Sequence, residues 1–258
     1  MSEVRILAAT GMLGSGFLEK SFYKGVSLNP HVIACDSGST DAGPAHLGGE
    51  IPYFSREAIK RDFRLMLLGR DTSKAKLIIG SCGMGGGDWA VDWMKEIAFE
   101  IAKEENLKFK LALIKSEQDK GYLKSCLNNG KITSLYPHFE INEEDIEASS
   151  HIVGVMGCEP IMDALENNAD VILTGRATDT SIYASVPIML GCGLGASWHA
   201  AKILECGTAS TVNRKRPDSI FGWVRDDHFD IEPLDLEARC TAQSVASHTL
   251  YENADPFL

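Results

Sequence analysis

Apolar positions follow two rhythms along this chain. Six short runs are continuously apolar and bounded by turn residues: "VRILAAT" at 4–10, "HVIACD" at 31–36, "KLIIGS" at 76–81, "FKLALI" at 109–114, "HIVGVMG" at 151–157 and "DVILTG" at 170–175. Unbroken runs of this length predict strands covered on both faces, because a strand with one face in water alternates. Between them apolar residues recur at helical spacing. Residues 55–68, "SREAIKRDFRLMLL", set Ile59, Phe63 and Met66 on one face behind a Ser55 cap. Residues 88–105 open on Asp88 as a cap, and 160–168 carry Pro160 in their first turn. Residues 115–150 are charged and hold no strong strand, which predicts a helical excursion.

Strand and helix alternating in this way predict an α/β fold. The expected sheet is doubly wound, Rossmann-like and mostly parallel, with about six strands and helices on both faces. This domain spans 1–206. From 207 to 258 the pattern changes to an extension that leads into a missing or separate C-terminal part. There "SIFGWVRDDHFDIEPLD" predicts one or two exposed strands around an acidic turn, and "TAQSVASHTLYE" a helix. The apolar ending Phe257-Leu258 suggests a truncated or cleaved chain.

Composition narrows the partners. A net charge of −11 over 258 residues repels nucleic acid and anionic membrane, so neither is expected. The seven cysteines show no C-x-x-C and no metal-finger spacing, which fits reduced thiols in a cytoplasm. The opening "MSEVRILAATGML" carries charges where a leader's core would be apolar, so no signal peptide is expected there. Residues 181–198 carry no charge, but three glycines and Pro187 interrupt them; they predict a buried helix and turn rather than a membrane span.

Ligands of open parallel sheets bind beyond the carboxyl ends of the strands. Five of the six runs end in polar, glycine-bearing loops. Gly11 to Gly16 follows the first, and Asp36-Ser37-Gly38-Ser39-Thr40-Asp41 the second. Ser81-Cys82-Gly83-Met84-Gly85-Gly86-Gly87-Asp88 follows the third, Gly157-Cys158-Glu159 the fifth, and Gly175-Arg176-Ala177-Thr178-Asp179 the sixth. The glycine-rich third loop, at a helix start, offers N–H groups to an anion. Arg176 is a planar fork for a carboxylate or phosphate, or an ion-pair partner of Asp36, Asp41 or Glu159. Asp36, Asp41 and Asp179 supply proton transfer or hold a divalent metal, or cap their own turns. Glu159 shares that acid–base role or answers a helix dipole. Ser37, Ser39, Thr40, Ser81, Cys82, Gly83, Gly85, Gly86 and Thr178 complete the candidate substrate contacts.

Cys82 is also a candidate nucleophile, although no histidine is placed as its base by spacing. His199 reads as a satisfied or interfacial histidine, and Glu205 and Cys206 as a helix end. The first loop runs G-x-x-G-x-G, not G-x-G-x-x-G, so a nicotinamide cofactor is not expected.

The stretches "CDSGSTDAGPAHLGG" at 35–49, "IIGSCGMGGG" at 78–87, "VGVMGCEPIMDALENNADVILTGRATDTSIYASVP" at 153–187, "HAAKILECG" at 199–207 and "SVASHTLYENADP" at 244–256 together resemble the N-terminal portion of the acyclic terpene utilisation family, AtuA-like. The resemblance implies a bacterial or archaeal cytosolic protein of catabolism, longer family members, and a complex: a homo-oligomer with a small partner subunit. The strand-end residues suit acid–base chemistry on a small anionic substrate. A lyase (hydratase or dehydratase) or isomerase acting on a small carboxylic or hydroxy acid, or its CoA ester, is the leading reading. A non-catalytic ligand-binding subunit and a Cys82-dependent hydrolase are the alternatives.

Overall fold

A computed structural model describes residues 3–39 and 42–251; Thr40, Asp41 and the apolar end of the chain lie outside the described residues. Among these, seven strands form one sheet: β1 (Val4–Ala8), β2 (Val32–Gly38), β3 (Lys76–Met84), β4 (Leu111–Ile114), β5 (Val171–Thr174), β6 (Ile220–Val224) and β7 (Phe229–Pro233). Their order is β4-β5-β3-β2-β1-β6-β7. The first five are parallel. β6 and β7 are antiparallel additions on the far side of β1.

Among the described residues ten α-helices accompany the sheet: α1 (Glu19–Ser27), α2 (Ala45–Gly48), α3 (Arg56–Ser73), α4 (Asp88–Glu104), α5 (Lys120–Asn128), α6 (Glu143–Ala148), α7 (Glu159–Glu166), α8 (Ser181–Met189), α9 (Leu194–Leu204) and α10 (Ala242–Thr249). Strand side chains split between two cores. Leu77, Ile79, Val171 and Leu173 pack with Phe22, Phe63, Met66, Val91 and Ile97 of α1, α3 and α4. Ile78 and Ile172 pack with Ile161, Ile182, Val186 and Leu204 of α7, α8 and α9 on the other face. Two buried faces explain why the strands read as unbroken apolar runs. The doubly wound, mostly parallel fold is the one the periodicity predicts, with seven strands rather than about six.

Chain direction changes once. The order β1-β2-β3 runs steadily outward, then β4 goes to the edge and β5 returns between β4 and β3. As a result α4 leaves β3 toward one face, while α8 leaves β5 toward the other. The carboxyl ends of β3 and β5 are therefore adjacent strand ends with diverging exits, the place where such sheets open a crevice.

Two sequence expectations need correction. The run 151–157 is not a strand of the sheet. It makes one antiparallel bridge, Val153 to Glu117, and one parallel bridge, Met156 to Ala177. Gly154 and Gly157 interrupt it and Val155 is 61% exposed, so it has no two-sided burial to keep it inside a sheet. It passes over the ends of β4 and β5 instead: Gly154 N donates to Ser116 O at 2.8 Å and Met156 N to Arg176 O at 3.0 Å. Secondly, β6 is not an exposed strand. Its five residues pair with all of β1, and Ile220, Phe221 and Val224 are fully buried. The extension after 206 thus adds two strands to the same sheet.

A buried carboxylate ties the extension to the beginning of the chain. Asp218 Oδ1 accepts from Leu18 N at 3.0 Å and Oδ2 from Ser21 Oγ at 2.6 Å, at the start of α1. Leu18, the residue before that helix, has no oxygen in its own side chain to offer as a cap. Replacing Asp218 by alanine removes both acceptors; it should lower stability by about 2–3 kcal/mol in urea unfolding. An unchanged midpoint would show that α1 needs no such cap.

Candidate functional site

The glycine loops are where the sequence places a ligand, and their N–H groups are the first question. In the first loop, Gly14 N and Gly16 N each donate to Asp62 Oδ2 at 2.9 Å. Asp62 is fully buried on α3, and burial is the main influence pushing its carboxyl up against those two bonds. At the start of α4, Asp88 N donates to Glu117 Oε1 at 2.9 Å. In return Asp88 Oδ1 accepts from Ser116 N at 3.0 Å and Glu117 N at 3.1 Å. Asp88 is consequently the first residue of α4, not its cap; Gly87 holds the cap position. Both loops thus direct N–H groups at an anion, and in both the anion is the protein's own.

Of the stretch expected as the third loop, Ser81 to Met84 lie inside β3, and its glycines pack closely against protein, with Gly85 also reaching the cleft described below. Gly86 has φ +72°, and a Cβ there would lie 2.6 Å from Arg176 Cα. A Cβ on Gly83 would meet Ala90 Cβ at 2.6 Å, and one on Gly85 would meet Leu47 Cβ at 2.7 Å. Cys82 is fully buried in the core beneath α4, and burial, then the Asp36 charge, pushes its thiol well up. A buried thiol held protonated is a poor nucleophile, and Cys82 packs in the core rather than lining the cleft described below.

Two buried serines lock this loop onto the end of β5. Ser116 Oγ donates to Gly86 O at 2.8 Å and accepts from Arg176 N at 2.8 Å. Ser81 Oγ donates to Ala177 O at 3.2 Å and accepts from Ala177 N at 3.3 Å. Ser81 is thereby a positioning residue for Arg176, not a substrate contact.

Above this lock a cleft of about 370 Å³ opens between the ends of β3 and β5. Ser39, Gly43, Pro44, Leu47, Gly85, Val153, Val155 and Arg176 line it. Only Arg176 among these is charged. Its side chain is 11% exposed, and its Nη1 is buried with no hydrogen-bond partner among the described residues. Nη2 stands 3.9 Å from Asp179 Oδ1, beyond hydrogen-bond reach.

Asp36 belongs to the electrostatics of this cluster although it does not line the cleft. Oδ2 accepts from Gly38 N at 3.0 Å, while Oδ1 is buried with no hydrogen-bond partner among the described residues. Burial, and next the Asp179 charge, push its carboxyl well above the usual carboxylate range; the Gly38 N–H and Arg176 only partly oppose this. Ser37 is buried beside it, with Oγ equally unbonded.

The structure therefore gathers Ser39, Gly85 and Arg176 at the cleft, with Asp36, Ser37, Ser81 and Asp179 around its base. It does not bring in Glu159 or Thr178, which are exposed. Glu159 follows a run that is not a strand, so it is not at a strand end. Cys82, Gly83 and Gly86 are packing positions. Sequence reasoning missed Ser116 and Glu117, which follow β4 directly. That loop has no glycine and was the one strand end not counted as a candidate. It also missed Leu47, Val153 and Val155, whose approach to the cleft depends on chain crossing. Among the described residues one group of three metal-ligating side chains converges, and it is not at the aspartates: Glu205, Cys206 and His248.

Two outcomes follow. Gly86→Ala should cost about 2 kcal/mol or more in urea unfolding, because both its backbone conformation and its space are taken; near-wild-type stability would mean the loop is free to move. For Asp36, the folded state holds its proton more tightly than the unfolded chain. Its contribution is then complete below the unfolded value, about 3.9, and is lost as pH rises through the folded one. Asp36→Asn keeps the acceptor for Gly38 N and removes the titration. Its stability relative to wild type should rise steadily with pH, read as urea midpoints from pH 4 to 9; a pH-independent difference would refute the buried acid.

Residues 83–212 match the family model for acyclic terpene utilisation family protein AtuA. No curated protein and no solved structure matches the chain. The matched segment covers half of the chain and carries Gly85, Val153, Val155 and Arg176, half of the residues that line the cleft, together with Ser116 and Asp179. The chain belongs to the acyclic terpene utilisation (AtuA) family.

Proposed function

We propose that the cleft between β3 and β5 binds a small organic acid and that the protein is a catabolic enzyme acting on it by acid–base chemistry, as a lyase (hydratase or dehydratase) or isomerase. The observation that carries this reading is Arg176: a nearly buried guanidinium, with one nitrogen lacking any acceptor among the described residues, in the wall of an otherwise uncharged and largely apolar cleft. A buried donor on a charged group is costly while unpaired. A carboxylate accepting from Nη1 and Nη2 removes that cost. Leu47, Pro44, Val153 and Val155 suit an apolar body behind the carboxylate, so the free acid is favoured over its CoA ester. Asp36 supplies a carboxyl that stays protonated where ordinary carboxylates are ionised, and Asp179 a second one beside Arg176. Two carboxyls whose proton affinities are driven apart are the usual means of holding an acid and a base in one site.

No described helix is long and apolar enough to cross a membrane. In this reading the protein works in the cytoplasm, as a homo-oligomer with a small partner subunit.

Thermal denaturation against a panel of small carboxylic and hydroxy acids tests the site. A specific binder should raise the melting temperature in proportion to the logarithm of its concentration. Arg176→Ala should fold normally and bind at least about tenfold more weakly, the scale of one charge-assisted hydrogen bond. Arg176→Lys should recover only part of that, since an ammonium cannot replace a planar fork. Equal binding by the alanine variant would defeat the anion site. Binding without turnover, with or without added divalent metal, would favour the ligand-binding subunit.

A further inference from the structure

The second cluster of reactive side chains lies where α9 ends. Glu205 and Cys206 follow its last residue, and His248 is in the last turn of α10. Glu205 and His248 are buried, and Cys206 is half-buried. A carboxylate oxygen, the Cys206 Sγ and a ring nitrogen of His248 all lie within 4.8 Å of one another. We propose that Glu205, Cys206 and His248 bind a zinc ion.

The ligand chemistry selects the metal. With bonds of about 2.0–2.3 Å, the edges of a tetrahedral zinc site are about 3.3–3.8 Å. Side chains already within 4.8 Å reach that by small rotamer changes. A thiolate and an imidazole disfavour magnesium and calcium, which take oxygen. Thiolate and carboxylate together neutralise the ion's two charges, which makes a half-buried site affordable. Three protein ligands leave a fourth position for water or a substrate oxygen, the pattern of zinc sites that react rather than merely brace.

The surroundings are built to hold those ligands. Lys202 Nζ donates to Glu205 Oε1 at 2.9 Å, which orients the carboxylate and leaves its second oxygen to face elsewhere. The His248 ring stacks on Tyr251, with centroids 5.6 Å apart and planes 14° from parallel. His199 Nε2 lies 2.9 Å from Thr249 Oγ1 and ties α9 to α10. Below, the Cys206-Gly207 backbone is wedged against the loop after β1. A Cβ on Gly11 would lie 2.8 Å from Cys206 O, and Gly207, at φ +58°, has no room for one beside Gly11 N. That contact puts the cluster at the carboxyl edge of the sheet, the edge that carries Arg176. In the turn after Cys206, Thr208 Oγ1 is buried with no hydrogen-bond partner among the described residues.

Cobalt and alkylation test the proposal on the intact chain. After chelator treatment, one equivalent of Co²⁺ should produce a thiolate-to-cobalt charge-transfer band and the intense visible bands of four-coordinate cobalt, and Zn²⁺ should displace it. Cys206→Ser should abolish the charge-transfer band, and His248→Gln should weaken binding at least about tenfold. Arg176→Ala should bind cobalt normally, so failure here and failure of the acid site are separate results. Should the Cys206 or His248 variants not fold, the wild type still decides: Zn²⁺ should slow iodoacetamide labelling of Cys206 and leave Cys126, also half-buried but remote in sequence, unaffected. No band with Co²⁺, a band that persists in Cys206→Ser, or equal labelling of Cys206 with and without Zn²⁺ overturns the proposal.

Discussion

Backbone N–H groups at the carboxyl edge of the sheet must find acceptors, and in this protein buried or half-buried carboxylates supply them. Asp62 accepts from two N–H groups of the first glycine loop, Glu117 from the first N–H of α4, and Asp218 from the start of α1. In many nucleotide-binding relatives of this architecture such groups wait for a phosphate. Here they are satisfied before any ligand arrives. The consequence is selective. With those N–H groups paired internally, Arg176 after β5 carries a buried donor that has no acceptor among the described residues.

The cleft beside Arg176 depends on the reversal of chain direction. α4 and α8 depart to opposite faces, and among the described residues a cleft remains between the ends of β3 and β5. The 151–157 segment covers its flank and contributes Val153 and Val155. Ser116 spans the gap underneath, bonded to Gly86 on one side and Arg176 on the other. With the Ser81 bonds to Ala177, these two hydroxyls tie the end of β3 to the end of β5 beneath the cleft.

Strands were legible in the sequence wherever burial is two-sided. Val171 to Leu173 and Leu77 to Ile79 are apolar at every position because each faces a core. The same rule misread 151–157, whose apolar residues cover a neighbour instead of pairing. It undervalued 220–224, where Gly222 breaks the run and the partner is the first strand of the chain. Arg176 and Asp179 stand where the sequence puts them, just after β5, whereas Asp36 lies inside β2, which runs on to Gly38. The fate of the glycines was not. Asp62 lies 46 and 48 residues from the N–H groups it accepts, and Glu117 29 residues from Asp88. A glycine advertises close approach, but nothing local says whether the visitor is a ligand or another part of the chain. Cys206 and His248 were illegible for the same reason: helix packing, not spacing, brings them together.

The β6–β7 pair has a further effect at the rim of the sheet. A strand edge invites another chain to add to it. β7 presents Asp230 and Glu232 outward, paired with Arg225 at 2.6 Å and Lys24 at 2.9 Å, and closes on Pro233, which has no N–H to offer. An incoming strand would have to strip two ion pairs and would find a donor missing. On this side the sheet is guarded against zipping to a second copy, so any subunit that joins it here must dock through side chains rather than lengthen it.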